Sequence, residues 1–113
     1  MTTAIAERQA WIEIGDIDDI PRLGSRVVET PEGDIAVFRN RLDEVFALRD
    51  ACPHRGGPLS QGIVHGREVT CPLHNWCIGL ADGRALPPDE GATTRYPVEV
   101  RDGAVFLLLV PEE

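Results

Sequence analysis

Cys52-Pro53-His54-Arg55-Gly56-Gly57-Pro58-Leu59-Ser60-Gln61-Gly62 and Cys71-Pro72-Leu73-His74-Asn75-Trp76 are two short segments that each offer one thiolate and one imidazole. Glycine and proline crowd both, which places the four donors on loops rather than on a helix. The stretch between them, Ile63 to Thr70, reads as two short strands joined at His65-Gly66, and such a hairpin brings its flanking loops together.

Two chemistries use two cysteines and two histidines. One is a tetrahedral Cys2His2 zinc site, which usually pairs Cys with Cys and His with His and sets the two histidines on a helix. The other is a two-iron cluster of mixed ligation, with two cysteines on one iron and two histidines on the other. Here each pair is mixed and each lies on a loop, so two facing loops can each supply one ligand per iron. The spacing favours the [2Fe–2S] cluster with Cys52, His54, Cys71 and His74 as ligands, and leaves a zinc-holding interaction module as the outsider. Gly56 and Gly57 are expected to leave their amides free for the bridging sulfides.

The rest of the chain predicts an all-β domain. Candidate strands are Trp11–Ile14, Arg26–Thr30, Asp34–Arg39, Glu44–Arg49, Gly62–His65, Glu68–Cys71, Trp76–Leu80, Thr94–Arg101 and Val105–Val110. Pro31-Glu32-Gly33, Asp82-Gly83 and Asp102-Gly103 are turn signals between them. Asp16 to Ile20 can make one helical turn capped by Asp16 before Pro21. An antiparallel β-sandwich or partly open barrel follows, with a small cluster-binding subdomain of two loops at about residues 50–88. At 113 residues and 42% hydrophobic content one domain over 1–113 is expected.

The formal charge is −8, from 19 acidic and 11 basic residues. Nucleic acid and anionic membrane both reward basic patches, so neither is an expected partner. Met1 to Ala10 has no apolar run of signal length and nowhere do 18 apolar residues follow one another, which predicts a cytoplasmic protein. Three cysteines in a reducing compartment suit ligands and a spare thiol better than a disulfide framework. Cys77, in an apolar run with Trp76, Ile78 and Leu80, is expected to be a buried inert thiol, and His65 an exposed turn histidine outside the site. Arg55, Arg67 and Arg84 read as ordinary solubilising residues. An oxygenase iron held by two histidines and a carboxylate is excluded, since only His65 remains after the cluster is served.

The pattern C-x-H, about sixteen residues, C-x-x-H resembles the Rieske family at all four ligand positions. High-potential members of that family carry a further cysteine in each loop, forming a disulfide, where this chain has Gly57 and Leu73. They also place serine and tyrosine hydroxyls where this chain has Trp76 and Ile78. The loop wording, together with the stretch from Asp89-Glu90-Gly91 to Arg101-Asp102-Gly103, looks most like the small subunit of assimilatory NAD(P)H-dependent nitrite reductase. That resemblance implies an electron-transfer role beside a large subunit that binds FAD, a [4Fe–4S] cluster and sirohaem and reduces nitrite to ammonium; it also implies that Leu86-Pro87-Pro88 closes over the cluster, where the residues by themselves read equally as a rigid loop after the Asp82-Gly83 turn. The alternative is a stand-alone Rieske ferredoxin that delivers electrons to an oxygenase. In either case no catalytic residue is expected in the chain itself.

Overall fold

The run Ile35-Ala36-Val37-Phe38 has no polar residue to mark an outer face, and strands of this kind are covered on both sides. The structure, a computed structural model that describes residues 11–31, 33–53, 56–73 and 75–110, shows the two coverings. The run belongs to a strand from Gly33 to Arg39, whose Ile35 and Val37 enter one core while Ala36 and Phe38 enter another.

Ten strands are present among the described residues: β1 Trp11–Asp16, β2 Gly24–Thr30, β3 Gly33–Arg39, β4 Val45–Arg49, β5 Ile63–His65, β6 Glu68–Thr70, β7 Cys77–Gly79, β8 Arg95–Tyr96, β9 Val98–Arg101 and β10 Ala104–Leu108. They form three antiparallel sheets in the orders β1-β10-β9, β2-β3-β4-β8 and β5-β6-β7. The four-stranded sheet lies between the other two. Ile35, Val37, Ala47 and Tyr96 on one of its faces pack with Val105 and Leu107 of β10 and with Ile20. Ala36, Phe38 and Leu48 on the other pack with Val64, Val69 and Ile78 of the small sheet. The expected sandwich is therefore layered twice, and no sheet closes into a barrel.

The expected strand Thr94–Arg101 is two strands. Pro97 has no N–H to give a ladder, and the chain changes sheets there: Arg95 and Tyr96 pair with β4, while Val98 to Arg101 pair with β10. The turn at Asp102-Gly103 connects the paired residues Arg101 and Ala104 with φ of 51° and 84°, the two positive values a type I′ hairpin needs. Ile17–Asp19 forms the expected helical turn, as a 3₁₀ turn, with the Asp16 N–H donating to the Asp19 carboxylate at 3.0 Å. A second such turn, Leu59–Gln61, was not foreseen in the sequence. No helix among the described residues is long and apolar enough to cross a membrane.

A polar brace ties the small sheet to the four-stranded one. Buried Asn40 donates from Nδ2 to the Glu44 carboxylate at 2.8 Å and to the Gly66 carbonyl at 3.0 Å, and its Oδ1 accepts from the Leu42 and Glu44 amides. Arg67, at the β5-β6 turn, donates from Nε and Nη2 to both Glu44 oxygens at 2.9 and 2.6 Å. These donors, Arg67 first and then Asn40, hold the Glu44 carboxyl at about 2, down from 4.5. A carboxyl depressed in the folded state adds stability that is complete above its unfolded value and is lost as pH falls through its folded one. The wild type is thus expected to lose its stability advantage over Glu44→Gln between pH about 4.5 and about 2. Denaturant midpoints of both proteins across that window check this, and parallel curves would remove Glu44 from the brace.

Candidate metal centre

The first cysteine loop leaves the end of β4, and Asp50 closes it. The Asp50 carboxylate accepts the Ser60 amide at 2.7 Å and the Ser60 hydroxyl at 2.8 Å, while Ser25 Oγ donates to the Ser60 carbonyl at 2.8 Å. Leu59, fully buried, anchors the loop in the core shared with the small sheet. Asp50→Ala strips both donors of Ser60 of their acceptor and is expected to cost about 1–3 kcal/mol, read as a lower denaturant midpoint.

Inside the two loops the backbone repeats one pattern. The Cys52 amide donates to the Gly57 carbonyl at 2.8 Å and its carbonyl accepts from Gly56 at 2.7 Å; the Cys71 amide donates to the Trp76 carbonyl at 2.7 Å and its carbonyl accepts from Asn75 at 3.1 Å. In each loop the residue four beyond the cysteine has a left-handed backbone, Gly56 at φ 73° and Asn75 at φ 60°. Glycine takes this conformation freely and asparagine is the side chain that tolerates it best. Asn75 is thus a site-forming residue that the sequence reading passed over, although its place beside His74 was a signal. The expectation for Gly56 is corrected: its amide is spent on the Cys52 carbonyl rather than left free.

The loops touch. A Cβ on Gly57 would stand 2.6 Å from Leu73 Cδ1 and 3.4 Å from Cys71 Sγ, so the bare glycine leaves room for the Leu73 side chain to lie across the first loop beside the second cysteine. Gly57 and Leu73, the two positions where the resemblance drew attention to missing cysteines, thus face each other. Gly91, with φ 135°, lies against both loops, its Cβ direction meeting Pro53 at 3.2 Å and Trp76 at 3.9 Å. Leu86-Pro87-Pro88 leads into it through a cis Pro87–Pro88 peptide, with the Leu86 amide on the Cys77 carbonyl at 2.9 Å.

Cys52 and Cys71 take part in no disulfide and are 3% and 1% exposed, in one core with Leu59, Val64, Val69, Ile78 and Leu80. His54, Arg55 and His74 lie outside the described residues. Cys77 departs from its expectation: it is partly exposed, with Sγ 3.5 Å from the Thr70 hydroxyl. His65 is exposed, as expected. Arg67 is more than a solubilising residue, since it carries the brace to Glu44. Two buried thiols on matched, touching loops, each with a histidine two or three residues on in sequence, fit a group that binds thiolate and imidazole together.

A domain of short antiparallel strands that presents such paired loops is an electron-transfer module, and the chain belongs to the Rieske [2Fe-2S] domain family, whose model matches residues 10–97. Its cofactor is accordingly a Rieske-type [2Fe–2S] cluster. Among known proteins it is 36% identical over 100 residues to the 3-phenylpropionate/cinnamic acid dioxygenase ferredoxin subunit of Photorhabdus laumondii, a match covering 86% of this chain and 92% of the other. The ferredoxin in the complex of reduced oxygenase and oxidized ferredoxin in carbazole 1,9a-dioxygenase superimposes with a TM-score of 0.82 at 24% identity, over 93% of this chain and 98% of that one. A candidate NADH-dependent nitrite reductase small subunit from Mycobacterium tuberculosis does so with a TM-score of 0.79 at 24% identity, over 88% and 95%. Both structural matches establish the fold.

Proposed function

We propose that Cys52, His54, Cys71 and His74 hold the cluster and that the chain is the electron-transfer small subunit of an assimilatory NAD(P)H-dependent nitrite reductase, docking on a large subunit that carries FAD, a [4Fe–4S] cluster and sirohaem. When bound, the cluster accepts and returns one electron at a time. The chain's own residues shape its setting: Leu59, Val69, Ile78 and Leu80 keep water from the thiolate side, and Gly57 holds the loops at contact distance. The observation that carries the nitrite reductase reading is the resemblance of the cysteine-loop wording and of the stretch from Asp89-Glu90-Gly91 onward to that subunit, and Gly91 of that stretch lies against Pro53 and Trp76 of the two loops.

The two best-defined cavities among the described residues, about 220 Å³ beside Ile35 and Tyr96 and about 170 Å³ beside Phe46 and Leu80, are both smaller than the usual ligand pocket of about 300–1,000 Å³.

A second reading, a ferredoxin feeding an oxygenase, is favoured by the 36% identity with a dioxygenase ferredoxin subunit along nearly the whole of both chains. Affinity-tagged protein isolated from its native cells separates the two. Co-isolation of a flavin- and sirohaem-containing chain, with nitrite consumption driven by NAD(P)H, is the expected result. Isolation with an oxygenase or a ferredoxin reductase would give the second reading.

A further inference from the structure

The strands β5, β6 and β7 turn Val64, Val69 and Ile78 into the core, so their alternate residues His65, Glu68, Thr70 and Cys77 share the outer face. Register brings these four together. His65 pairs across the turn with Glu68, and Thr70 pairs with Cys77. The imidazole Nε2 lies 2.7 Å from the Thr70 hydroxyl, that hydroxyl 3.5 Å from Cys77 Sγ, and the imidazole Nδ1 3.8 Å from a Glu68 oxygen.

One nitrogen of His65, one oxygen of Glu68 and the sulfur of Cys77 all lie within 4.8 Å of one another. We propose that His65, Glu68 and Cys77 form a second metal site, separate from the cluster loops, that takes a zinc-class divalent cation. A thiolate and an imidazole select zinc over magnesium or calcium, which prefer all-oxygen shells. Tetrahedral zinc with bonds of about 2.0–2.3 Å needs its donors about 3.3–3.8 Å apart, so an approach of about 1–1.5 Å completes the triad. His65 and Glu68, with side chains 46% and 39% exposed, have room to make it by rotamer change.

Two neighbours favour a cation on this face. Gly79 pairs with Glu68 and has no side chain of its own, and the Asp82 carboxylate, which also accepts the Arg84 amide at 3.0 Å, fills that space 2.5 Å from where a Cβ would stand. The fourth position is left to water. The two-residue β5-β6 turn, Gly66-Arg67, sets His65 opposite Glu68, and the β6-β7 register sets Cys77 opposite Thr70 on the same face.

Zinc chloride titrated anaerobically into cluster-loaded protein, in competition with a chromophoric zinc chelator, tests the site. The expected result is one zinc per chain with the visible absorption of the cluster unchanged. Affinity should fall by more than about tenfold in Cys77→Ser and in His65→Gln, and zinc should slow maleimide modification mapped to Cys77. The retained cluster absorption reports that each variant is folded, and exposed His65→Gln keeps the test decisive if Cys77→Ser does not fold. Bleaching in step with zinc uptake, undiminished affinity in both variants, or no uptake would each overturn the proposal.

Discussion

Cys52→Ser and Cys71→Ser are each expected to yield colourless protein with neither iron nor acid-labile sulfide, whereas wild type holds two of each per chain and Cys77→Ser stays coloured. A thiolate is the ligand that an iron–sulfur cluster needs, and a serine hydroxyl does not replace it as a soft donor. Among the described residues packed around them, none offers a replacement donor. Both cysteines are buried in an apolar core whose other described members, Leu59, Val64, Val69, Ile78 and Leu80 among them, offer no donor. Cys77 hangs on the outer face of the small sheet beside Thr70, on the side away from Ile78 and the core. Its replacement by serine should therefore cost on the order of 1 kcal/mol and leave the cluster in place. Iron and sulfide analysis of the three variants checks the assignment. A colourless Cys77→Ser, or wild type that holds stoichiometric zinc without sulfide, would reject it, the latter in favour of the zinc-holding module.

Much of this fold was legible because its strands are short, alternate cleanly and end on glycine, proline or Asp-Gly. β1 to β4 start or stop within a few residues of their expected bounds for that reason. Pro97 was equally visible, but its consequence was not: the alternation of Arg95 to Arg101 continues across it, and only the identity of the neighbouring strands shows that the chain has changed sheets. The two-sided burial of Ile35 to Phe38 was written in the sequence as an unbroken apolar run, although which residues face which core depends on long-range packing.

At the site, the cysteine and histidine spacing was the strongest local signal in the chain. The elements that hold the loops in place were silent. Asp50 reaching Ser60, Asn40 reaching Gly66 and Arg67 reaching Glu44 join residues 10, 26 and 23 positions apart, and hydrogen bonds between such positions leave no periodicity to read. The exposure of Cys77 was misread for a related reason. Its apolar neighbours suggested a buried run, but on a strand the alternate residues face opposite ways, and Ile78 alone takes the core side.

The midpoint potential is expected at the low end of the Rieske range. Two ferric irons, two sulfides, two thiolates and two neutral imidazoles carry no net charge, whereas an all-cysteine cluster carries two negative charges, so an electron enters more easily here. This lifts Rieske centres from about −400 mV, typical of plant-type ferredoxins, into a range of roughly −150 to +300 mV. Hydrogen bonds and solvent access decide the position within that range. Donors to the sulfurs raise the potential by stabilising the extra charge. The positions that supply hydroxyls in the high-potential relatives are Trp76 and Ile78 here, and Ile78 is fully buried among aliphatic side chains. The Gly56 amide is bound to the Cys52 carbonyl and so adds nothing. Gly57 and Leu73 meet where those relatives have a disulfide, so that covalent link between the loops does not form here. Voltammetry at neutral pH checks the expectation, and a midpoint well above about +100 mV, in the upper half of the family's range, would refute it. Introducing hydroxyls tests the cause separately: Ile78→Tyr is too large for the filled core, but Trp76→Ser, at a partly buried position on the loop itself, should raise the midpoint if a hydroxyl there reaches a sulfur, and an unchanged or lower midpoint in a protein that keeps its cluster would place the control of potential elsewhere in the loops.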